Sequence, residues 1–465
     1  MIIKREQNIV RAVAALLLLA LTAVTVAAAW RTEMEGITSS LSPLTGVPSD
    51  DEMQSVAKYD DTGDSIYDII ESADKKYDVD RGFLDFCVGN KNINRDGTLL
   101  AACKRYLDSR GYRDDMWETL TGYTFSVLYD IYKGNLTSPN VTVLGDVYDQ
   151  KKTTLAFTGD VNLSYDWYNM EHFRNAGGKV ENVFSADLLD MMRKADLLLV
   201  NNEFSISDRG SPLSGKTYTF RARPADLSIL SDLGVDIVSL ANNHVYDYGP
   251  DAFADTLTNL DAAGILRIGA GMDETEASGV RYIISGGMKI ALCAASSAEK
   301  NRFTPVADGD SAGVMGIYET DAFCRVVEDA KAHADLVIAY LHFGTENSNG
   351  IDDKQQAAAH AIIDAGADII IGAHPHVLQP IEYYNGCPII YSLGNFWFNK
   401  KTLDTGILTV SASVGIRPVL RFYPCIQSGG NVALAGDADK SRIIEMMNSW
   451  SSSANIGEDN RVRER

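Results

Sequence analysis

Basic residues and cysteine pairs are scarce in this chain of 465 residues, and each scarcity argues against a class of function. Lys and Arg number 42 against 63 Asp and Glu, and the net charge of −21 is spread along the chain rather than gathered in one tail. This deficit argues against a nucleic-acid partner, and against an anionic lipid surface for the main body. The six cysteines show no CxxC spacing, so the sequence suggests neither a zinc knuckle nor an iron–sulfur site.

A continuous apolar stretch, Ala12–Trp30, follows three basic residues near the N-terminus. As a helix, its 19 residues would cover roughly 28 Å, about the hydrocarbon thickness of a bilayer. Because the basic residues favour the cytoplasmic side, residues 1–30 are predicted to be a signal anchor that crosses the cell membrane once and leaves the body extracytoplasmic. The alternative is a cleaved signal peptide, since Val26–Ala29 is small and Ala-rich.

In that oxidising compartment, an even number of cysteines permits disulfides. Cys87 and Cys103 are the most plausible pair by proximity, and Cys387 and Cys425 come next. Buried free thiols are the alternative for all of them.

The rest of the chain, with 45% hydrophobic and 23% charged residues overall, is typical of a globular protein with a sizeable core. Residues 31–63 are rich in small and polar residues and are interpreted as a stalk. Residues 64–150 carry helical periodicity and form a small helical accessory region. Strands alternate with helical segments over residues 151–425, which indicates an α/β fold, and residues 426–465 follow as a hairpin around Gly429-Gly430 and a last helix.

Five apolar, β-branched runs in the α/β region end abruptly in polar clusters. Such runs are typical of buried strands in an α/β sheet, and binding sites in these sheets gather at the carboxyl ends of the strands. We therefore expect the polar clusters to converge in space. The runs are Thr154–Thr158 before Gly159-Asp160, Leu197–Val200 before Asn201-Asn202-Glu203, Ile237–Ala241 before Asn242-Asn243-His244, Leu336–Leu341 before His342, and Ile369–Ile371 before Gly372–His376.

Histidine is rare, yet four of the seven histidines stand at the ends of these predicted strands. A single histidine in such a place is more often a hydrogen-bonded core residue, but four of them beside carboxylates and amides favour a metal site. Neutral imidazole together with carboxylate and amide oxygens suits zinc, manganese or iron. The candidate ligands are Asp160, Glu203, Asn243, His244, His342, His374 and His376.

Six motifs in order make the chain similar to the CapA family of capsule synthesis proteins, which is associated with poly-gamma-glutamate synthesis. The resemblance covers about residues 151–425 and implies a four-layer α/β/β/α sandwich of the calcineurin-like metallophosphoesterase type, with one or two divalent ions. The motifs are GDV (159–161), NNE (201–203), LANNHVYDYG (240–249), LHFGTE (341–346), GAHPHVLQPIE (372–382) and YSLGNFWF (391–398).

The resemblance also implies roles for individual residues. His244 becomes the general acid with Asp247 orienting it, Asn395 lines the rim of the site, and Glu203 takes the place of a bridging carboxylate. The implied metal ligands are Asp160, Glu203, Asn243, His342, His374 and His376, with Asn162 as a weaker ligand.

Two positions depart from the wider phosphoesterase pattern. Asn162 replaces a histidine and Glu203 replaces an aspartate, and both changes weaken the case for two tightly held ions. Arg221 and Arg223 lie between two motifs and are predicted to neutralise an anionic substrate, with ordinary salt bridges as the alternative.

The resemblance leads us to expect a membrane-anchored protein of capsule or poly-gamma-glutamate biosynthesis whose metal site is hydrolytic. Its expected partners are a membrane synthase complex and an anionic polymer such as poly-gamma-glutamate. One alternative is a stand-alone metal-dependent phosphoesterase or amidohydrolase that acts on an extracellular polymer. The other is a non-catalytic binding subunit that the metal stabilises.

Overall fold

A computed structural model describes residues 141–143, 152–285, 288–299, 303–413 and 415–465. The predicted membrane segment, the stalk, the Cys87–Cys103 pair and nearly all of the helical accessory region lie outside these residues. Within them, no helix combines the length and the apolar character needed to cross a membrane.

The described residues alternate between strands and helices, as the sequence predicts, and the fold is α/β. The strands are β1 (Val141–Val143), β2 (Thr153–Val161), β3 (Leu197–Asn202), β4 (Ser205–Ile206), β5 (Arg221–Ala222), β6 (Ile237–Ser239), β7 (Leu266–Ile268), β8 (Ala270–Gly271), β9 (Arg281–Ser285), β10 (Met288–Ser296), β11 (Gly313–Val314), β12 (Leu336–His342), β13 (Ile369–Ala373), β14 (Ile381–Tyr384), β15 (Cys387–Ile390), β16 (Asn395–Trp397), β17 (Leu403–Ser413), β18 (Ile416–Ser428), β19 (Asn431–Leu434), β20 (Ala454–Ile456) and β21 (Val462–Glu464). The helices are α1 (Tyr168–Asn175), α2 (Ala186–Lys194), α3 (Ser228–Leu233), α4 (Pro250–Ala263), α5 (Glu274–Ala277), α6 (Asp321–His333), α7 (Asp353–Asp364) and α8 (Asp437–Trp450), with short 3-10 turns at Val180–Asn182 and Pro224–Leu227.

Two large mixed sheets carry the fold. The seven-stranded sheet has the order β1-β9-β10-β12-β13-β15-β14, and its strands β10, β12, β13 and β15 are parallel. The eight-stranded sheet has the order β19-β18-β17-β2-β3-β6-β7, with β16 also paired to β2. In it, β2, β3, β6 and β7 are parallel, while β17 to β19 are antiparallel additions. Helices α6 and α7 pack on the seven-stranded sheet, as expected of crossovers between parallel strands.

Helix α4 shows how local chemistry fixes an element. Pro250 stands in its first turn, where the missing N–H costs nothing, and Gly264 ends it in the left-handed conformation with φ of 70°. Phe253, Leu257 and Leu260 form its buried face. Alternation of helical and strand patterns in the sequence predicts helices at Ala186–Lys194 and Pro250–Ala263, and α2 and α4 have these bounds.

The predicted end of the first strand is wrong, because β2 continues past Thr158 to Val161. The extra residues pair with β16, and the Asp160 amide donates to the Gly394 carbonyl at 3.0 Å. A Cβ at Gly159 would overlap that same carbonyl oxygen, so only glycine permits this approach. Asp160 is therefore fixed inside a strand rather than in the loop that follows one.

Hydrogen bonds from side-chain hydroxyls join the two sheets. The Tyr340 hydroxyl on β12 donates to the Thr158 carbonyl on β2 at 2.7 Å, and the Thr153 hydroxyl donates to Ser285 at 2.9 Å. All the groups involved are buried. The Tyr340 contact brings the carboxyl ends of β2 and β12 to the same region of the molecule.

The predicted Cys387–Cys425 disulfide is wrong. Both thiols are free, as are those of Cys293 and Cys324. Cys387 belongs to β15 of one sheet and Cys425 to β18 of the other, and burial raises the pKa of the Cys425 thiol.

Replacing Tyr340 with Phe should destabilise the fold by about 1 to 2 kcal/mol, because the change removes a buried hydrogen bond between the sheets. The measurement is the free energy of unfolding in denaturant. Tyr423→Phe is the matched control, since no hydrogen bond of its hydroxyl occurs in the described part of the chain. Equal stability of the two variants would contradict the role given to Tyr340.

Candidate metal centre

The polar clusters at the strand ends meet in one buried site. Asp160 lies in β2, Glu203 follows β3, and His342 ends β12. His374 and His376 follow β13, and both large sheets therefore supply residues to the site. His376 is partly exposed, while the other four side chains are buried.

Two overlapping groups of side chains could hold a metal ion. Glu203, His342 and His374 form one group, and Asp160, Glu203 and His376 form the other. Within each group the possible ligand atoms all lie within 4.8 Å of one another. Glu203 belongs to both groups, which is the position expected of a bridging carboxylate.

Asparagine carboxamides hold the ligands in place. The Nδ2 of Asn201 donates to Asp160 Oδ1 at 2.8 Å and lies 3.1 Å from His342 Nδ1. Asn242 in turn donates to Asn201 Oδ1 at 3.0 Å. Asn243 Oδ1 lies 2.8 Å from His342 Nε2, so this predicted ligand is directly beside another one. The sequence analysis missed Asn201 and Asn242, although each precedes a candidate within a double-asparagine motif.

Asn162, the predicted weaker ligand, is buried next to Asp160 in the sequence. Its Oδ1 accepts a hydrogen bond from the Ser164 amide at 2.7 Å, and its Nδ2 has no hydrogen-bond partner in the described residues. The carboxamide oxygen is thus already used by the backbone, and the ligand role of Asn162 stays a prediction.

The turn that carries His374 and His376 is strained. Both residues have positive φ, 98° and 62°, a region that costs a non-glycine residue roughly 1–3 kcal/mol. The Asn347 amide donates to the Pro375 carbonyl at 2.8 Å and supports the turn. A Cβ at Gly372 would overlap the Tyr391 carbonyl oxygen, so glycine is required just before the turn.

Glu203 is the electrostatic centre of the site. Both of its carboxylate oxygens are buried, and no described residue provides either with a hydrogen-bond donor. Oε1 lies 3.7 Å from His342 Nε2 and 3.9 Å from both His376 Nε2 and His244 Nε2. Burial, followed by the nearby Asp160 carboxylate, raises the pKa of Glu203 well above its usual value. Two buried carboxylates without a cation are costly, so this donor set fits a divalent ion.

The imidazoles differ in how readily they take up a proton. Burial lowers the pKa of His342 well below its ordinary value and that of His374 to about 3, which keeps both rings neutral. Burial also acts to lower the pKa of His376, but its 3.0 Å contact with Asp160 Oδ2 and the charge of that carboxylate outweigh this, and the pKa is raised. Neutral rings are the form that binds a metal ion.

His244 and Asp247 pair beside the candidate ligands, and their catalytic roles stay a prediction. His244 Nδ1 lies 2.7 Å from Asp247 Oδ2, which also accepts a hydrogen bond from the Phe220 amide at 2.7 Å. The sequence analysis missed Lys216, whose buried ammonium lies 2.6 Å from Asp247 Oδ1 and 2.7 Å from Glu299. Lys216 also donates to the Asn243 carbonyl. A single lysine in a loop carries no motif that could have revealed this role.

The three predicted substrate-binding residues have different surroundings. Asn395 is buried on β16 in register with Asp160. Arg221 donates to the Arg209 carbonyl at 3.1 Å, and Arg223 forms an ion pair with Asp226 at 2.8 Å. Both guanidinium groups thus have partners away from the ligands, and their contact with a substrate stays a prediction.

Comparison with known proteins places this site in a family. The family model described as "Bacterial capsule synthesis protein PGA_cap" matches residues 154–400, a segment that contains every candidate ligand. The chain belongs to this family. Its members include CapA proteins named for capsule and PGA biosynthesis, so the resemblance seen in the motifs is confirmed.

The chain is 33% identical over 223 residues to the PGA biosynthesis protein CapA of Bacillus subtilis, a match that covers 47% of this chain and 58% of that protein. It is 27% identical over 317 residues to the capsule biosynthesis protein CapA of Bacillus anthracis, covering 64% and 74%. A probable polyglutamine synthesis accessory protein of Mycobacterium tuberculosis is 31% identical over 209 residues, covering 43% and 55%. The chain thus spans little more than half the length of two of these relatives.

The shared position of Glu203 predicts that Glu203→Gln weakens metal binding at both ligand groups. We expect affinity to fall by more than about tenfold, since even changes outside the ligand shell cause such losses. His374→Ala and His376→Ala should each affect one group. Elemental analysis and metal titration provide the measurement. His333→Ala, on the exposed side of α6, is the control, and wild-type metal content in Glu203→Gln would refute the assignment.

Metal affinity should fall on acidification. Glu203 and His376 must lose their protons to bind an ion, and both have raised pKa values, so protons compete from a higher pH than for ordinary groups. His342 and His374 add little, because their lowered pKa values keep them neutral. Titrations between about pH 8 and pH 5 should show a continuous loss of affinity. A constant metal affinity over this interval would contradict the prediction.

Proposed function

We propose that this chain is a metal-dependent hydrolase of capsule or poly-gamma-glutamate biosynthesis. The observation that carries the proposal is the bare, buried carboxylate of Glu203, which both ligand groups share and which lies 3.9 Å from His244. The names of the relatives support the biosynthetic setting. The proposed substrate is a phosphoester, or an amide bond of the extracellular polymer.

The proposal includes a cellular arrangement. Residues 12–30 anchor the chain in the cell membrane, the α/β body lies on the extracytoplasmic side, and a membrane synthase complex is the partner. The two large sheets form the inner layers of a four-layer α/β/β/α sandwich, an arrangement that the hydrogen bonds between the sheets support. A crystal structure with both sheets on the outside would refute this layer order.

A divalent ion bound by these ligands would polarise a phosphoryl or carbonyl oxygen and lower the pKa of a water molecule that it binds. Zinc, manganese and iron suit the mixed imidazole and carboxylate set. Glu203, Asp160 and the three histidines would hold the ion, and Asn201 would keep Asp160 and His342 in position.

His244 is suited to deliver a proton. Asp247 engages its Nδ1, which leaves Nε2 on the side of Glu203. Lys216 and the Phe220 amide in turn fix Asp247, so the ring has one orientation. A protonated Nε2 can donate to the leaving oxygen of a phosphoester or to the leaving nitrogen of an amide. A subunit that used the metal only for stability would have no need of this chain of contacts.

His244→Gln should lower turnover by about a hundredfold or more while leaving metal content unchanged, because proton transfer by a positioned side chain contributes at least that much. The substrates are a chromogenic phosphodiester and gamma-linked glutamate oligomers, assayed with the metal-loaded protein. His360→Gln is the matched control, since His360 pairs with Glu382 away from the ligands.

In cells that lack the protein, the wild-type chain should restore secreted polymer and the His244→Gln variant should not. Full metal occupancy without turnover on any of these substrates would refute the hydrolase. A normal polymer level with the variant would separate the site from biosynthesis.

A further inference from the structure

A layer of aromatic rings adjoins the metal centre. The Phe220 ring lies 4.5 Å from the His244 ring, and the Phe398 ring lies 4.9 Å from the His376 ring, centroid to centroid. Phe220 and Phe398 are themselves 5.4 Å apart, edge to face. Both are buried and form an apolar wall beside the proposed proton donor.

Further rings continue this wall to the surface. The Trp167 ring lies 5.0 Å from Phe220 and contacts Tyr168 at 5.1 Å and Tyr218 at 6.2 Å. Tyr168 is 47% exposed and Tyr218 is 59% exposed, although large apolar side chains at the surface are few in the described residues. Exposed aromatic side chains that continue from a site often mark a binding surface.

Two cations lie on tyrosine rings of the segment from Tyr165 to Tyr168 and have no carboxylate partner in the described residues. Lys400 Nζ lies 4.3 Å from the centre of the Tyr168 ring, and the Arg174 guanidinium lies 4.1 Å from that of Tyr165. Neither Lys400 nor Arg174 forms an ion pair with any described residue. The chain has 63 acidic residues against 42 basic ones, so a cation without a carboxylate partner is unexpected in it. Asp166 is the single carboxylate of the segment from Tyr165 to Tyr168.

We propose that Trp167, Tyr168, Tyr218, Arg174 and Lys400 form a binding surface for an anionic polymer, which we call the polymer surface. The cations would pair with carboxylates of a polymer such as gamma-linked polyglutamate, and its methylene groups would pack on the rings. The rest of the acidic protein repels a polyanion, so these cations would guide the polymer to the metal centre. This proposal rests on the proposed function, because it assigns the route by which the polymer reaches His244.

The test is a binding titration of the metal-loaded full chain with fractionated gamma-linked polyglutamate, followed by tryptophan fluorescence. Lys400→Ala and Tyr218→Ala should each weaken binding about fivefold, which corresponds to roughly 1 kcal/mol. Lys354→Ala, an exposed lysine on α7, removes the same charge elsewhere and should leave binding unchanged. The wild-type affinity should also fall as salt is added.

A second measurement separates the two proposals. The wild type and the Lys354→Ala control should hydrolyse a small chromogenic phosphodiester at the same rate, and this assay tests the metal centre without the polymer surface. No turnover in the wild type would refute the hydrolase. Polymer binding would still be decided by the titration. Unchanged polymer affinity in Lys400→Ala and Tyr218→Ala, or binding to anionic vesicles without binding to polyglutamate, would overturn the polymer surface.

Discussion

The structure depends on one buried carboxylate that the protein itself does not neutralise. Glu203 has no hydrogen-bond donor in the described residues, and the second carboxylate beside it, Asp160, makes its ionisation more costly. An arrangement that is this unfavourable without a cation becomes favourable once a divalent ion is bound. The neutral rings of His342 and His374 and the raised pKa of Glu203 follow from the same burial, and with the amide scaffold they suit such an ion.

The site also depends on how closely the two sheets approach. Candidate ligands come from β2 and the end of β3 on one side and from β12 and the end of β13 on the other, so neither sheet alone supplies a complete set. Gly159 and Gly372 permit backbone contacts that any Cβ would prevent. The hydroxyl of Tyr340 fixes the two strands nearest the ligands. The packing of the two sheets therefore determines where the candidate ligands lie.

The sequence predicts the α/β fold, the helices α2 and α4, and the convergence of the strand ends, because period and strand composition are local signals. It does not predict that β2 continues through Asp160, since that extension depends on pairing with β16 from far along the chain. The ligand types are visible as motifs. Lys216 and Asn201 are not, because their roles arise from tertiary contacts with Asp247, Asp160 and His342. The predicted Cys387–Cys425 disulfide is wrong because it was inferred from proximity in the sequence, whereas the fold puts the two cysteines in different sheets.

The left-handed backbone at His374 and His376 has a consequence for how the site would bind a divalent ion. Conformational energy is spent in advance to aim both imidazoles, and the neighbouring Pro375 restricts the alternatives open to the turn. An ion entering the site would therefore meet donors that need little rearrangement. Such preorganisation lowers the entropic cost of chelation and favours ions whose preferred geometry matches the cage over ions that bind by reshaping it.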